Sequence, residues 1–132
     1  MAKIDNLLDI MNIKRASDIH ITSGLVPMVR IDGNLVIAND KVIPHEVVTE
    51  YIQDLMPEKF EEFLDKGEID FKYNRKGICN FRVNAFKCRE SYAICMRIIN
   101  EKIPKLSDIS DAPALKDFTE LKDGLVLVTG PT

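Results

Sequence analysis

The sequence predicts an α+β fold in which helices pack on one face of an antiparallel sheet. Two observations lead to this prediction. Several short segments are rich in β-branched and aromatic residues and are separated by turn residues. Two longer stretches instead repeat their apolar residues with helical spacing. The composition fits a globular core, since 45% of the 132 residues are hydrophobic and 30% are charged.

The first part of the chain predicts one helix and three strands. Residues 4–16 place apolar side chains at helical spacing, which is typical of an amphipathic helix. Strand-like segments follow at residues 18–22, 28–31 and 35–37. Asp32-Gly33 lies between the last two segments and is a strong signal for a two-residue hairpin turn. We therefore expect an antiparallel meander.

The middle of the chain predicts two helices and three further strands. An apolar stripe that begins after Pro44 indicates a helix, and Pro57 begins a second, shorter one. Strand-like segments then follow at residues 69–73, 77–87 and 91–99. A sheet with a helical layer on one side accounts for this order.

The last part of the chain has a different pattern of apolar residues from the rest. We divide the sequence into a domain of residues 1–100, a linker of residues 101–123 with a short helix at 114–121, and a segment of residues 124–132. Within that segment, residues 125–128 form a continuous apolar run that is typical of a strand buried on both faces. We expect this run to begin a second domain that the sequence does not complete, and to lie outside the sheet of the first domain.

Composition argues against several classes of function. No apolar run exceeds the five residues 92–96, whereas a membrane-spanning helix needs about 20. The two histidines and the three cysteines, Cys79, Cys88 and Cys95, fit no zinc pattern, so we expect free thiols, no metal site and a cytoplasmic protein. A net charge of −3 and the lack of aromatic residues beside the basic ones disfavour nucleic acid as a partner.

Positive charge is concentrated in one predicted hairpin. Residues 72–97 contain seven Lys or Arg and one Glu, so this segment carries a net charge of +6 in an acidic chain. If Arg89-Glu90 forms a two-residue turn, the numbers of cross-strand partners sum to 179. Only such odd-sum registers bring the apolar faces together, because a slip of one residue would turn arginines toward the core. This register places Arg82 directly opposite Arg97.

Two neighbouring guanidinium groups form a donor array that suits phosphate oxygens. Like charges in opposite positions cost a few tenths of a kcal/mol to about 1 kcal/mol, and a bound anion would relieve this cost. The alternative is that Arg82 and Arg97 are solvated or pair with the surplus carboxylates of the chain. Cys95 shares a face with Arg97, which we expect to lower the pKa of its thiol.

Alternation also places Asp18 and His20 together on one face of their strand. They form either an acid-base pair or, more simply, a polar surface that contributes to a subunit contact. The pattern assigns no nucleophile to this pair, which favours the second interpretation.

Four segments carry a resemblance to a known family. They are residues 16–21 (ASDIHI), 27–33 (PMVRIDG), 81–86 (FRVNAF) and 124–132 (GLVLVTGPT). In this order they resemble the type IV pilus retraction ATPases of twitching motility (PilT-like), which belong to the wider secretion ATPase superfamily. The resemblance implies that residues 1–100 are the PAS-like N-terminal domain, and that the last segment is the first strand and the start of the phosphate-binding loop of a RecA-like domain.

The resemblance also implies a function for the full-length protein. Family members form hexameric rings in the cytoplasm, at the inner-membrane base of the pilus, where they meet platform proteins. They bind ATP and Mg, and the N-terminal domain faces the nucleotide held by the RecA-like domain. Arg82 and Arg97 match the arginines that reach the triphosphate, in roles of the arginine-finger type. The residues for which a nucleotide contact is implied are Arg89, Gly130, Pro131 and Thr132.

The Walker lysine and the magnesium ligands of the family would lie beyond Thr132, so the fragment alone is expected to be inactive. A different class of function fits the same fold. A stand-alone PAS-like module for ligand sensing or dimerisation would hold its ligand in an apolar cavity with a few convergent polar groups. A crystal of this chain with a filled internal pocket would favour this alternative over the ATPase hypothesis.

Overall fold

The computed structural model describes residues 4–75, 79–99 and 103–130. The chain divides into two compact units, Met1–Glu101 and Lys102–Thr132. The second unit contains two helices, α4 (Leu106–Ile109) and α5 (Pro113–Thr119). The first unit contains the remaining elements: α1 (Asp5–Ile13), β1 (Asp18–Thr22), β2 (Met28–Ile31), β3 (Asn34–Ile37), α2 (His45–Leu55), a 3-10 turn (Pro57–Lys59), α3 (Phe60–Lys66), β4 (Glu68–Arg75), β5 (Cys79–Cys88) and β6 (Ser91–Ile99).

The six strands form one antiparallel sheet in the order β3-β2-β1-β6-β5-β4. Two meanders, β1-β2-β3 and β4-β5-β6, are joined edge to edge where β1 pairs with β6. The α+β class and the antiparallel sheet are therefore confirmed. None of the helices in the described ranges has the length and apolar character that a membrane crossing requires.

The hydrophobic core lies on one face of this sheet. Alternation along β5 buries Phe81, Val83 and Ala85 completely, while Arg82 between them is exposed. The helices α1, α2 and α3 contribute fully buried side chains to the same cluster, for example Leu8. The other members of the cluster from the sheet are Ile19, Ile21, Val29, Ile69, Ile94 and Met96. The opposite face carries the polar side chains of β1, β5 and β6, among them Asp18, Arg82 and Arg97.

Backbone geometry explains the turn between β2 and β3 and the end of α3. Asp32 and Gly33 have φ angles of 48° and 81°, the left-handed pair that a tight hairpin turn between β2 and β3 requires. Gly67 ends α3 with a φ angle of 76°, and its amide donates a hydrogen bond of 2.8 Å to the carbonyl of Phe63. Glycine is favoured there because it adopts this conformation without steric cost.

The second unit differs from its prediction in one respect. The pattern predicts one helix over residues 114–121, whereas the structure has both α4 and α5. As expected, the apolar run does not join the six-stranded sheet, and residues 125–130 have no regular secondary structure. Leu125, Leu127 and Val128 are 82%, 75% and 88% exposed. A strand needs a neighbour for its backbone hydrogen bonds, and among the residues described this run has none.

Candidate functional site

The β5-β6 hairpin has the register that the sequence predicts. Cys88 pairs with Ser91, and all nine cross-strand pairs of this hairpin have numbers that sum to 179. Arg89 takes the left-handed conformation in the turn, with a φ angle of 57°, although it is not a glycine. Arg82 and Arg97 are consequently direct cross-strand neighbours on the polar face.

Arg97 is held by a buried carboxylate of the adjacent strand. Its Nε donates a hydrogen bond of 2.6 Å to Oδ1 of Asp18, whose side chain is only 4% exposed. The Ser17 hydroxyl donates to Oδ2 of Asp18 at 2.8 Å, and Nε of Arg30 lies 3.5 Å from the same oxygen. Burial acts to raise the pKa of Asp18, but these hydrogen bonds and the two guanidinium charges outweigh it, so the pKa lies below its ordinary value. Asp18 is therefore a buried anion at neutral pH.

Arg82 is held by a carboxylate that is much more open to solvent. Its Nε and Nη2 both donate to Asp70, and the shortest of these hydrogen bonds is 2.7 Å. The side chain of Asp70 is 43% exposed and that of Arg82 is 71% exposed. The hydrogen bond from Arg82 lowers the pKa of Asp70. Both arginines thus pair with carboxylates of their own chain, which is the alternative raised from the sequence.

These side chains line a shallow depression of about 310 Å³ on the polar face of the sheet. The register sets cations side by side on this face of the sheet, with Arg30 beside Asp18, then Arg97, Arg82 and Lys72 on successive strands. Of these four, Arg82 and Arg97 line the depression. An anion with several oxygens fits such a row, provided that it exchanges with the carboxylates already bound. The complete lining is Asp18, Glu68, Asp70, Arg82, Asn84, Cys95 and Arg97.

This lining differs from what the sensing-module alternative predicts, because it is charged rather than apolar. The described part of the chain also contains no group of three or more His, Cys, Asp or Glu side chains placed to hold a metal ion.

Three residues of the depression were not identified from the sequence. Asp70 and Glu68 lie on β4, and Asn84 lies on β5. Period-two alternation of Glu68, Asp70 and Lys72 along their strand marks a polar face and could have indicated two of them. Their position beside the arginines depends on the β4-β5 register, in which Asp70 faces Asn84 and so lies diagonal to Arg82.

The expectation for Cys95 is wrong. Burial raises the pKa of its thiol and the nearby carboxylate of Asp18 adds to this increase, so that together they outweigh the opposite influence of Arg97 and Arg30. Asp18 does share its face with His20, as alternation predicts, but its carboxylate is engaged with Arg97. His20 faces Cys95 across the strands.

The resemblance implies four further contact residues, of which the structure describes Arg89 and Gly130. Arg89 is exposed at the tip of the hairpin, and the seven residue steps from Arg82 to Arg89 span roughly 23 Å of extended strand. Gly130 is exposed in the second unit and has no regular secondary structure. Pro131 and Thr132 lie outside the described residues.

The chain is similar to several proteins of known name. It is 38% identical over 121 residues to the type IV pilus retraction ATPase PilT of Pseudomonas aeruginosa, covering 89% of this chain and 34% of that protein. It is 30% identical over 131 residues to the type IV pilus ATPase PilU of the same organism, covering 98% of this chain and 34% of PilU. A twitching motility protein of Neisseria gonorrhoeae is 28% identical over 93% of this chain and 35% of its own length. No family model matches the chain.

Comparison with solved structures also finds PilT and a second ATPase. The crystal structure of the pilus retraction motor PilT with bound ADP superposes with a TM-score of 0.80 at 30% identity, over 99% of this chain and 38% of that one. The ATPase DotB of Legionella pneumophila superposes with a TM-score of 0.74 at 22% identity, over 92% of this chain and 35% of DotB, and shows a shared fold. The chain spans about a third of the length of the relatives it matches.

Proposed function

We propose that this chain, a homologue of the PilT-like pilus retraction ATPases over about a third of their length, is the nucleotide-facing N-terminal domain of such a motor. In this proposal the domain is PAS-like, and Arg82 and Arg97 reach the phosphates of an ATP molecule that the RecA-like part of the protein holds. The observation that carries the proposal is the direct cross-strand pairing of these two arginines on a polar sheet face.

Physical chemistry supports phosphate as the ligand of the pair. Guanidinium groups bind phosphate oxygens through parallel, charge-assisted hydrogen bonds, and both side chains are 71% exposed at the surface of the depression. The repulsion between neighbouring guanidiniums is relieved when an anion lies between them. The solved PilT structure contains ADP, which agrees with a nucleotide as the source of the phosphates.

The chemical role follows from charge that develops during phosphoryl transfer. An arginine delivered to the transferring phosphate stabilises the transition state by roughly 4–7 kcal/mol, which corresponds to the 10³–10⁵-fold range of arginine fingers. ATP and Mg would be bound mainly by the RecA-like part, to which residues 124–132 contribute the first strand and residues 130–132 the start of the phosphate-binding loop. Residues 101–123 would serve as the linker.

The wider assembly is part of the same proposal. The full-length protein would form a homo-hexamer in the cytoplasm at the inner-membrane base of the pilus, contact the platform proteins there and power retraction in twitching motility. Arg89 would not contact the same phosphate groups as Arg82, because roughly 23 Å of extended strand lies between the two residues.

The experiment is steady-state ATP hydrolysis by the full-length protein. Arg82→Ala and Arg97→Ala should each lower kcat by about 10³-fold, the lower end of the range for arginine fingers. Lys87→Ala is the matched control, since it removes a cation from the same strand at a position that alternation places on the other face. Normal turnover in both arginine variants, with the fold intact by circular dichroism, would exclude the proposed role.

A further inference from the structure

The two arginines of the depression are prepared for a phosphate in different ways. Arg97 uses its Nε on Asp18, and among the described residues its Nη1 and Nη2 have no hydrogen-bond partner. Arg82 uses both Nε and Nη2 on Asp70. A planar guanidinium offers two forked edges to an oxyanion, and in Arg82 one of these edges is already occupied.

The two carboxylates also differ in how easily they release an arginine. The side chain of Asp18 is 4% exposed and has further partners in Ser17 and Arg30, so it stays ionised and in place, while the side chain of Arg97 is 71% exposed. Asp70 is 43% exposed, and water replaces its arginine partner at little cost.

We infer that Asp18 and Asp70 act on phosphate binding in opposite directions: Asp18 positions Arg97 toward the phosphates, whereas Asp70 competes with them for Arg82. This inference rests on the proposed function, because it concerns the ligand of the same arginine pair. Asp18 is a positioning residue that acts through Arg97, and Asp70 is a counter-ion that nucleotide binding displaces. Nucleotide affinity is therefore set partly by an ion pair within the domain.

The primary test is Asp70→Asn in the full-length protein, measured as equilibrium binding of a non-hydrolysable ATP analogue. Removing the competing charge should tighten binding by about two- to fivefold, the range that an exposed ion pair supports. A substitution that only damages the fold does not tighten binding, so the direction of the change separates competition from structural damage.

Glu68→Gln is the matched control for Asp70→Asn. Glu68 lies on the same strand and lines the same depression, but it accepts a hydrogen bond from Asn84 at 3.2 Å rather than from an arginine. It should change the dissociation constant by less than 1.5-fold, since only the general field of one carboxylate is lost. Equal tightening by both variants would overturn the inference, and so would unchanged or weaker binding by Asp70→Asn.

Asp18→Asn should act in the opposite direction. It should lower kcat by about tenfold and leave the affinity unchanged or weaker, because Arg97 loses the anion that orients it. Should this variant fail to fold, Ser17→Ala removes only one hydrogen bond to Asp18 and should lower kcat by about twofold. Tighter binding in either variant contradicts the positioning role. This inference alone would be rejected if Arg82→Ala and Arg97→Ala lose activity while Asp70→Asn leaves nucleotide affinity unchanged. The proposed function would be rejected if the two arginine variants keep normal activity.

Discussion

The buried carboxylate of Asp18 predicts a large and local loss of stability when its charge is removed. Asp18→Asn weakens a hydrogen bond of 2.6 Å from Arg97 and a second ion pair with Arg30 at 3.5 Å. Hydrogen bonds to charged groups contribute about 1.5–3 kcal/mol each, but the guanidinium of Arg97 is 71% exposed and regains hydration when the bond is lost. We therefore expect a loss of about 2 kcal/mol in the free energy of unfolding, within the range for one such hydrogen bond. For a unit of this size the melting temperature should fall by roughly 8–16 °C.

The assay is urea denaturation followed by circular dichroism at neutral pH, with Asp70→Asn as the comparison. Both substitutions remove one carboxylate charge from an arginine pair on the same sheet face, and they differ in that Asp70 is 43% exposed while Asp18 is 4% exposed. The midpoint should move clearly for Asp18→Asn and only slightly for Asp70→Asn. If the two variants lose the same stability, burial of the carboxylate does not govern the strength of these pairs, and the assignment of Asp18 as an anchored residue is refuted.

Two further predictions concern pH and thiol chemistry. The pKa of Asp18 is lowered from its ordinary value of 3.8, so the unfolded chain takes up the proton first and the free energy of unfolding should decrease as pH falls below about 4. The urea concentration at the midpoint of unfolding should therefore fall less steeply from pH 7 to pH 3 in Asp18→Asn than in the unsubstituted protein. Identical dependence of the midpoint on pH in the two proteins would contradict this. Exposed Cys88 should react with iodoacetamide before Cys95, whose pKa is raised by burial, and peptide mass spectrometry at neutral pH would show equal rates if this were wrong.

The β5-β6 hairpin could be predicted from the sequence because its determinants are local. Period-two alternation assigns Phe81 and Val83 to one face and Arg82 to the other, and a two-residue turn at Arg89-Glu90 fixes the register. A slip of one residue would have buried arginines in the core. The cross-strand position of Arg97 followed from these two facts alone.

The partners of the arginines could not be predicted in the same way, because they depend on contacts between distant segments. Asp18 meets Arg97 across 79 positions of sequence, since the two meanders join where β1 pairs with β6. Local patterns place Asp18 on a polar face but do not show which strand lies beside it, and neither its burial nor its ionisation can be read from its neighbours in sequence. The expected reactivity of Cys95 failed for the same reason, because the effects of its burial and of Asp18 exceed that of the adjacent Arg97.

The apolar run of residues 125–128 shows that a strand pattern alone does not produce a strand. Its pattern is typical of a strand that is buried on both faces. Such a strand forms only when neighbouring elements cover those faces. A strand is not a property of one segment, because its backbone groups need partners on another segment.

The arginine pair depends on its surroundings in the same way. Its register is built into the hairpin, but whether Arg82 meets Asp70 or a phosphate depends on which anion is nearby, and an exposed ion pair is weak enough for either to replace the other. The carboxylate pairs seen in this structure are therefore compatible with phosphate binding by the same two side chains.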